Sequence, residues 1–350
     1  MSFKKFENIT YPYFIADIAA NHDGSLQRAK DLIWLAKEAG ADCAKFQHFL
    51  AHKIVNDKEF KKIEDIKTHQ SGWKKSVSEI YDDYHFKREW TLEIKEECDK
   101  AEIDFSSSPY DKEAIDLIKD ITPFIKIGSG DVSWLSHIED CLKTQLPIVI
   151  ATGACEIKDV LRAMNLITSY GNQHCIMQCN TNYTVDPDKV KYVNLNVLDH
   201  YKNLFPNAIL GLSDHTKTPT SVFGAIAKGA KIIEKHFTDD NSRIGPDHEF
   251  AINPKEWKEM VNISCELVDE MGDGIKKVED NEKNAYIVQR RSCVASRDLP
   301  AGHAITKEDI DYLRPCPEGA VQPFEVSDVI GKKLMEALEV NESILWTNLS

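Results

Sequence analysis

Short apolar segments rich in β-branched residues alternate with segments of helical period along most of the chain. Such an alternation predicts parallel strands that each lead into a covering helix. Eight units within about 270 residues fit the size of a (β/α)8 TIM barrel, an α/β fold, with a doubly wound open sheet as the alternative. The strands are predicted at Tyr13–Ala20, Cys43–Gln47, Ile103–Ser107, Phe124–Gly128, Pro147–Thr152, Cys175–Cys179, Ala208–Ser213 and Ala230–His236.

The segments between these strands show the period of helices that cover a barrel from outside. In Ser25–Ala39, apolar residues recur three and four positions apart, and Gly40 follows as a typical helix end. The longest gap, Phe49–Phe86, is polar and aromatic, and a long βα loop of this kind predicts a functional segment. The other predicted helices are Lys87–Ala101, Lys112–Asp120, Glu156–Tyr170, Lys189–Phe205, Thr220–Lys228 and Pro254–Met271.

The character of the sequence changes after Met271. The segment Gly272–Asn284, GDGIKKVEDNEKN, is charged and typical of a linker. The predicted division is a barrel domain of residues 1–275, a linker of residues 276–289 and a small module of residues 290–350. The module has turn signals, short strands and one helical segment near Val326–Ala337. Because a domain of roughly 60 residues buries a marginal core, the module would gain stability by docking onto another surface.

The formal net charge of −14 argues against a nucleic-acid-binding surface, since such surfaces are basic. No apolar run approaches the ~20 residues that span a bilayer, and the N-terminal segment lacks the features of a signal peptide. The nine cysteines are odd in number and scattered, which fits reduced thiols. We therefore expect a cytoplasmic protein with small-molecule ligands and no nucleic-acid or membrane partner.

Every predicted strand ends in polar residues. The C-terminal ends of the strands are where TIM barrels keep their active sites, so this pattern predicts a site at that rim. Residues two apart on a strand share a face, and Lys235 therefore points away from its two neighbours. The pairs expected to point into one barrel mouth are Lys45 with Gln47, Ser213 with His215, and Glu234 with His236.

His215 and His236 are predicted as a metal-binding pair, because neutral imidazole is a good ligand for divalent transition metals. They end neighbouring strands, near the carboxylates of Glu234 and Asp247. No HExxH or CxxC motif supports them locally, so two histidines that only hydrogen-bond to their surroundings are the alternative.

The lysines at the strand ends predict an anion site. Lys45 and Lys126 supply positive charge, and the hydroxyls near them are donors suited to phosphate or carboxylate. A Schiff-base aldolase is another use of a barrel lysine and stays open as an alternative. The hydroxyl donors are Ser108, Ser129, Thr181 and Ser213.

The motifs in these segments resemble the sialic acid (N-acetylneuraminate) synthases and related nonulosonic acid synthases. They are NHDGSLQRAKDLI, GADCAKFQ, KIGSGD, GLSDHT, GAKIIEKHFT and GPDH, and the tail segment DLPAGHAITKEDIDYLRP resembles that family's antifreeze-like (SAF) domain. The resemblance implies condensation of phosphoenolpyruvate with an N-acetylmannosamine-type sugar, with release of phosphate. The alternative acceptor is a 2,4-diacetamido-2,4,6-trideoxyhexose, which would make the chain a legionaminic or pseudaminic acid synthase.

The resemblance also implies roles for individual residues. His215 and His236 would hold a divalent cation, with Mn²⁺ expected and Mg²⁺ or Co²⁺ as alternatives, and Asp17 and Glu234 would move protons or orient water. It further implies a domain-swapped homodimer in which Arg314 of one tail enters the partner's site. The phosphoenolpyruvate residues would be Lys45, Ser108, Lys126, Ser129, Thr181 and Ser213, and those around the sugar Gln47, Asp131, Tyr183 and Asp247.

Several positions depart from the family pattern, among them the segment CNTNYT, Val288 and Gly72 on the sugar side. Asp17 and Asp131 stand where Glu is usual, and Ala151 replaces a serine that would contact phosphoenolpyruvate. The shorter reach of Asp17 and the missing donor at Ala151 affect the expected chemistry directly. A non-catalytic sugar-binding barrel also stays open, as does a synthase for a sugar phosphate, which would need a second cluster of Arg or Lys.

Overall fold

The computed structural model of the chain describes residues 5–7, 9–63, 73, 75–184 and 186–350. The chain divides into two compact units, Met1–Gly272 and Asp273–Ser350. None of the described helices is both long enough and apolar enough to cross a membrane.

The first unit is built on eight parallel strands that pair in sequence order. The predicted barrel is confirmed, and the open-sheet alternative is wrong, because the last strand pairs with the first and closes the cylinder. The strands are β1 Tyr13–Asp17, β2 Cys43–His48, β3 Asp104–Pro109, β4 Ile125–Ile127, β5 Ile148–Ala151, β6 His174–Cys179, β7 Ile209–Asp214 and β8 Ile232–His236.

Helices connect the strands and cover the barrel. In the first of them, the Ser25 side chain caps the N-terminus by accepting from Arg28 N, and Ala29, Leu32 and Ile33 lie on its buried face. The helices are α1 Leu26–Glu38, α2 Ala51–Ile54, α3 Asp57–Phe60, α4 Val77–Tyr84, α5 Thr91–Lys100, α6 Lys112–Ile118, α7 Leu135–Leu142, α8 Ile157–Tyr170, α9 Val197–Leu204, α10 Thr220–Ala227 and α11 Pro254–Met271.

The helix predicted over Lys189–Phe205 is wrong in its first half. Pro187–Tyr192 forms a 3₁₀ helix, and Asn194 has a φ of 50°, which interrupts helical geometry before α9 begins. Asparagine tolerates positive φ, but it also occurs within helices, so Asn194 is only a weak sequence signal of a helix break. The sequence pattern also missed α7.

Side chains inside the barrel form an apolar layer with a polar layer above it. The strand register brings the polar members together: Asp17 is level with Lys45 on one side and His236 on the other, and Ser213 is level with Glu234. Two positions earlier along the strands the inward side chain is apolar, apart from Ser106 on β3 and Gly211 on β7. The apolar layer includes Ile15, Cys43, Phe124, Val149, Cys175, Met177 and Ile232.

The second unit contains α12 Lys283–Val288, β9 Ser292–Ala295, β10 Ile310–Leu313 and α13 Val326–Val329. The strands β9 and β10 pair antiparallel. The helix expected near Val326–Ala337 ends early, because Gly331 adopts a φ of 86° just after α13. A small core fills the unit, with Cys293, Leu299, Ile305, Leu334 and Ile344 among its buried members.

Candidate functional site

Two lysines and two carboxylates form a buried ionic cluster at the C-terminal end of the barrel interior. The Lys45 ammonium lies 2.7 Å from the Asp17 carboxylate and 3.8 Å from that of Glu234, and the Lys126 ammonium lies 3.2 Å from Glu234. None of the four side chains is more than 6% exposed. Buried charge of this kind is tolerated because each ammonium has a carboxylate partner.

The two carboxyl groups of this ionic cluster differ in proton affinity. Burial raises the pKa of Asp17 above its ordinary value, and Glu234 adds to this effect although Lys45 opposes it. Burial acts in the same direction on Glu234, but Lys126 and Lys45 outweigh it and lower the pKa of that carboxyl. Glu234 is therefore the carboxylate that stays ionised, and Asp17 is the one closer to taking up a proton.

Asp17 reaches the site despite being one methylene shorter than Glu. Its Oδ2 accepts from Gln47 Nε2 at 3.3 Å as well as from Lys45, and it lies 3.7 Å from Nε2 of His236. The carboxylate thus contacts both the lysine side and the imidazole side of the barrel mouth.

The predicted hydroxyl donors lie around the ionic cluster. Ser213 donates to Glu234 Oε1 at 3.1 Å, and Ser129 Oγ accepts from the backbone N–H of Gly153 at 2.9 Å. A Cβ on Gly153 would lie 1.9 Å from Thr181 Oγ1, so only glycine leaves room for that hydroxyl. Ser108 is buried on β3, level with Gln47 on β2.

The two predicted metal-binding histidines converge at the same mouth. The ring centroids of His215 and His236 are 5.4 Å apart. Nδ1 of His215 bonds the Asn180 carbonyl at 3.0 Å, which leaves Nε2 as its nitrogen available to a metal. Burial and the nearby His215 lower the pKa of His236, which favours the neutral form that binds metals.

The donor set fits a divalent cation held by two imidazoles. Nδ1 of His236 is buried without a hydrogen-bond partner, and the carboxylate of Asp247 lies 3.9 Å from it. Within the described ranges, no group of three or more His, Cys, Asp or Glu side chains is arranged to hold a metal ion. The remaining coordination positions would therefore fall to water or substrate oxygens.

A cavity of about 190 Å³ opens beside His236. Three of the side chains predicted around a sugar, those of Gln47, Tyr183 and Asp247, line this cavity. Burial raises the pKa of Asp247 to about 6, with a further contribution from Asp17. The remaining lining residues are Ala20, Phe49, Ile54, Trp73, Ile80, Tyr81, Tyr84, Tyr110 and Pro246.

The other two residues predicted around the sugar are Asp131 in the first unit and Arg314 in the second. Asp131 lies in the 3₁₀ helix Ser129–Asp131 after β4 and does not line the cavity described above, and burial raises the pKa of its carboxyl. Arg314 is an exposed residue of the second unit, at the end of β10. The predicted sugar contacts of both residues stay predictions. Ala151, by contrast, lies buried inside the barrel and offers no donor.

Sequence reasoning missed several residues of the site. Phe250 is buried and packs its ring 4.9 Å from that of His236 and 5.4 Å from that of Tyr183. No local pattern marks this residue, because its position depends on the loop after β8 folding back over the mouth. The aromatic loop Phe49–Phe86 was predicted to be functional, and Tyr81 and Tyr84 on α4 do line the cavity; residues 64–72 and 74 of that loop lie outside the described residues.

Comparison with known proteins finds family matches over most of the chain. Residues 32–276 match the NeuB family and residues 290–350 match the SAF domain. N,N'-diacetyllegionaminic acid synthase from Legionella pneumophila is 32% identical over 345 residues, which cover 96% of this chain and 94% of that protein. N-acetylneuraminate-9-phosphate synthase from Homo sapiens is 30% identical over 335 residues, which cover 95% and 91%.

A solved structure of a similar protein matches over nearly the same length. The crystal structure of the spore coat polysaccharide biosynthesis protein spsE from Bacillus subtilis matches with a TM-score of 0.63 and 28% identity, over 97% of this chain and 95% of that one. The family expected from the sequence motifs is thereby confirmed. The chain belongs to the NeuB family and carries a SAF domain at its C-terminal end.

Proposed function

We propose that this enzyme condenses phosphoenolpyruvate with an N-acetylmannosamine-type sugar to give a nonulosonic acid and inorganic phosphate. The observation that carries the proposal is the pairing, in one barrel mouth, of a lysine cluster suited to an anion with two imidazoles suited to a cation. Relatives over nearly the full chain are synthases of sialic-type acids by name, and this chain is an enzyme of that type.

Lys45 and Lys126 would bind the phosphate and carboxylate of phosphoenolpyruvate. Both ammonium groups contact carboxylates inside the barrel. An incoming trianion competes for those ammonium groups, and Ser213 on β7 and Thr181 just after β6 add hydroxyl donors. Because the pocket is buried, each charge–charge contact is stronger there than in water.

Bond formation joins C3 of phosphoenolpyruvate to the aldehyde carbon of the open-chain sugar. Water adds at C2 and loses one proton, and the former aldehyde oxygen gains one. Cleavage of the bond between C2 and the phosphate oxygen then forms the C2 carbonyl, and the remaining proton of the added water leaves with the phosphate. Ionised Glu234 would orient or deprotonate the water, and Asp17, with its raised pKa, would carry the proton that the oxygen needs. A divalent cation held by His215 and His236 would polarise the aldehyde oxygen.

The finer features of the proposal are the acceptor, the metal and the assembly. Gln47, Tyr183 and Asp247 would hold the N-acylated sugar in the cavity, whose aromatic lining suits acyl groups and ring C–H faces. Mn²⁺ is the expected cation, with Mg²⁺ or Co²⁺ as alternatives. The proposed assembly is a homodimer in which Arg314 of one subunit completes the site of the other.

The Schiff-base alternative fits the ionic cluster poorly. A lysine that forms a Schiff base needs a lowered pKa. Burial acts in that direction on Lys45, but Asp17 and Glu234 outweigh it and raise its pKa. Borohydride with a carbonyl substrate should therefore leave Lys45 unlabelled.

Phosphate release from phosphoenolpyruvate tests the proposal directly. The assay should be run with N-acetylmannosamine and with a 2,4-diacetamido-2,4,6-trideoxyhexose, after chelation and after restoring Mn²⁺. We expect release to require both acceptor and metal, and His215→Ala or His236→Ala to reduce it by at least about a hundredfold. The exposed His200 gives a matched control, His200→Ala. Full activity in both site variants, or no release with either sugar, would contradict the proposal.

A further inference from the structure

We propose that Asp23 and His248 form a clasp that positions Asp247 at the sugar cavity. The clasp joins the loop after β1 to the loop after β8, and neither residue lines the cavity described above. This inference rests on the proposed function, because it assigns Asp247 to acceptor binding. Asp23 and His248 are positioning residues, since they act on the sugar through Asp247, the residue before His248.

The imidazole of His248 is held at both nitrogens. Nε2 lies 2.8 Å from Oδ1 of Asp23, and Nδ1 lies 2.7 Å from Oγ1 of Thr238. The side chain is 0% exposed. A buried ring with both nitrogens bonded has one orientation, because any rotation would leave a buried polar atom unpaired.

Asp23 is anchored on its own side of the clasp. Its second carboxylate oxygen accepts from Arg243 at 2.7 Å and lies 3.0 Å from the guanidinium of Arg28. Arg28 belongs to α1, whereas Arg243 belongs to the same loop as His248. The carboxylate therefore bonds the loop after β8 at two points and fixes it to the first helix of the barrel.

The backbone around His248 is shaped to receive its ring. Asn241 donates to the carbonyls of His248 and Ala251, at 2.8 and 2.7 Å, which closes the loop on itself. A Cβ on Gly245 would lie 2.6 Å from Cδ2 of His248, so glycine is needed for the ring to fit. These contacts restrict the backbone conformation of Asp247, the residue before His248.

Among the described residues, Asp247 is joined to the barrel by one weak hydrogen bond. Its Oδ2 accepts from the backbone N–H of Ala20 at 3.3 Å, and the same oxygen lies 3.9 Å from Nδ1 of His236. The carboxylate is desolvated at the cavity wall, so its position depends on the backbone of the loop that carries it. The clasp supplies that constraint one residue away.

Steady-state kinetics of clasp variants test this inference. Asp23→Ala and His248→Phe should raise KM for the acceptor by about tenfold or more and leave KM for phosphoenolpyruvate within about twofold, since only the sugar side is displaced. Asp23→Asn keeps an oxygen that can accept from His248, so its effect should be smaller than that of Asp23→Ala. Asp31→Ala, which removes an exposed carboxylate from α1, is the matched control.

Hydrogen exchange gives a second readout that does not depend on turnover. In Asp23→Ala and His248→Phe, backbone amides of residues 240–252 should exchange faster than in wild type, whereas Asp31→Ala should leave them unchanged. Unchanged exchange, or an unchanged acceptor KM in an active enzyme, would overturn the clasp. Equal rises in both KM values would assign these residues to general stability and would also overturn it. A wild type inactive with both sugars would refute the proposed function, and the exchange result would still decide whether the clasp exists.

Discussion

Two consecutive charged residues on β8 point to opposite faces of the barrel wall. Glu234 points inward to Lys126, whereas Lys235 points outward, where its ammonium lies 2.6 Å from the Asp214 carboxylate. Neither member of the outer pair is more than 2% exposed. Strand alternation thus separates an ionic cluster available to a substrate from an ion pair that is purely structural. The parity of Lys235 in the sequence predicted this separation correctly.

Asp214→Asn should destabilise the fold strongly, because it leaves the buried ammonium of Lys235 without its counter-charge. We expect a loss of about 3–5 kcal/mol in the free energy of unfolding, measured by urea denaturation. The double variant Asp214→Asn/Lys235→Met should recover part of this loss, since it removes the unpaired charge as well. A loss below about 1 kcal/mol in the single variant would contradict this account of the pair.

Asp309 should make the stability of the second unit depend on pH. Burial opposes its ionisation, but hydrogen bonds from His303, Thr306 and Arg297 outweigh it and hold the pKa of the carboxyl well below its ordinary value. The ionised carboxylate therefore stabilises the folded protein at any pH above about 3.9, the ordinary pKa of an aspartate in an unfolded chain. This stabilisation is lost as the pH falls from that value towards the lower pKa of the folded state.

Thermal unfolding of the full chain from pH 7 to pH 3 measures this dependence. Asp309→Asn should lower Tm at pH 7, and the difference from wild type should shrink below about pH 4, because the Asp309 carboxyl of the unfolded wild-type chain takes up a proton there while the folded one stays ionised. Asp311→Asn, at an exposed position of β10, should follow wild type throughout. Parallel curves for wild type and Asp309→Asn would contradict the prediction.

At the scale of the elements, the strands followed the sequence closely and the helices did so less well. Strand positions come from a local alternation of apolar and polar residues, and each predicted strand overlaps an observed one. The segment before α9 departed from its helical pattern because Asn194 breaks the helix there. A helical period therefore gives the face that a segment can bury, but it does not exclude a break within it.

Gly211 in β7 is required by the packing of neighbouring strands. A Cβ there would lie 2.7 Å from the carbonyl oxygen of Ile232 on β8 and 2.9 Å from the sulfur of Cys175. Gly211→Ala should lower the free energy of unfolding by about 1–3 kcal/mol, because backbone cannot move aside cheaply. Gly224 lies within helix α10, and a methyl group added there would contact the end of the flexible Leu195 side chain.

Chemical denaturation of the two glycine variants distinguishes these cases. Gly224→Ala should be neutral or slightly stabilising, since alanine favours a helix and the flexible leucine end can shift. Equal stability of Gly211→Ala and wild type would show that the barrel wall is more compliant than these contacts indicate.

At the scale of the whole molecule, the proposed dimer makes a quantitative prediction. If Arg314 acts in the partner's site, Arg314→Ala and His236→Ala should each be inactive alone, and subunit exchange should restore activity. About half of the dimers in an equal mixture are mixed, and each has one intact site, so activity should return to about a quarter of wild type. Mixtures that stay inactive after exchange, shown by mass spectrometry of tagged subunits, would contradict a shared site.

The sequence by itself determined the barrel, the rim that carries the chemistry and the faces on which most site side chains lie. These features follow from periodicities of two and 3.6 residues, which are local and can be read along one segment. Lys45, Lys126, His215 and His236 were found in this way, and the structure brings them to one mouth.

Only the tertiary structure decided which groups meet across that mouth. The contacts of Glu234 with both lysines, the packing of Phe250 and the clasp between Asp23 and His248 join residues that are far apart in sequence. They depend on the register between strands and on the return path of a loop. Neither is encoded in a local period, because each is set by the packing of the whole barrel.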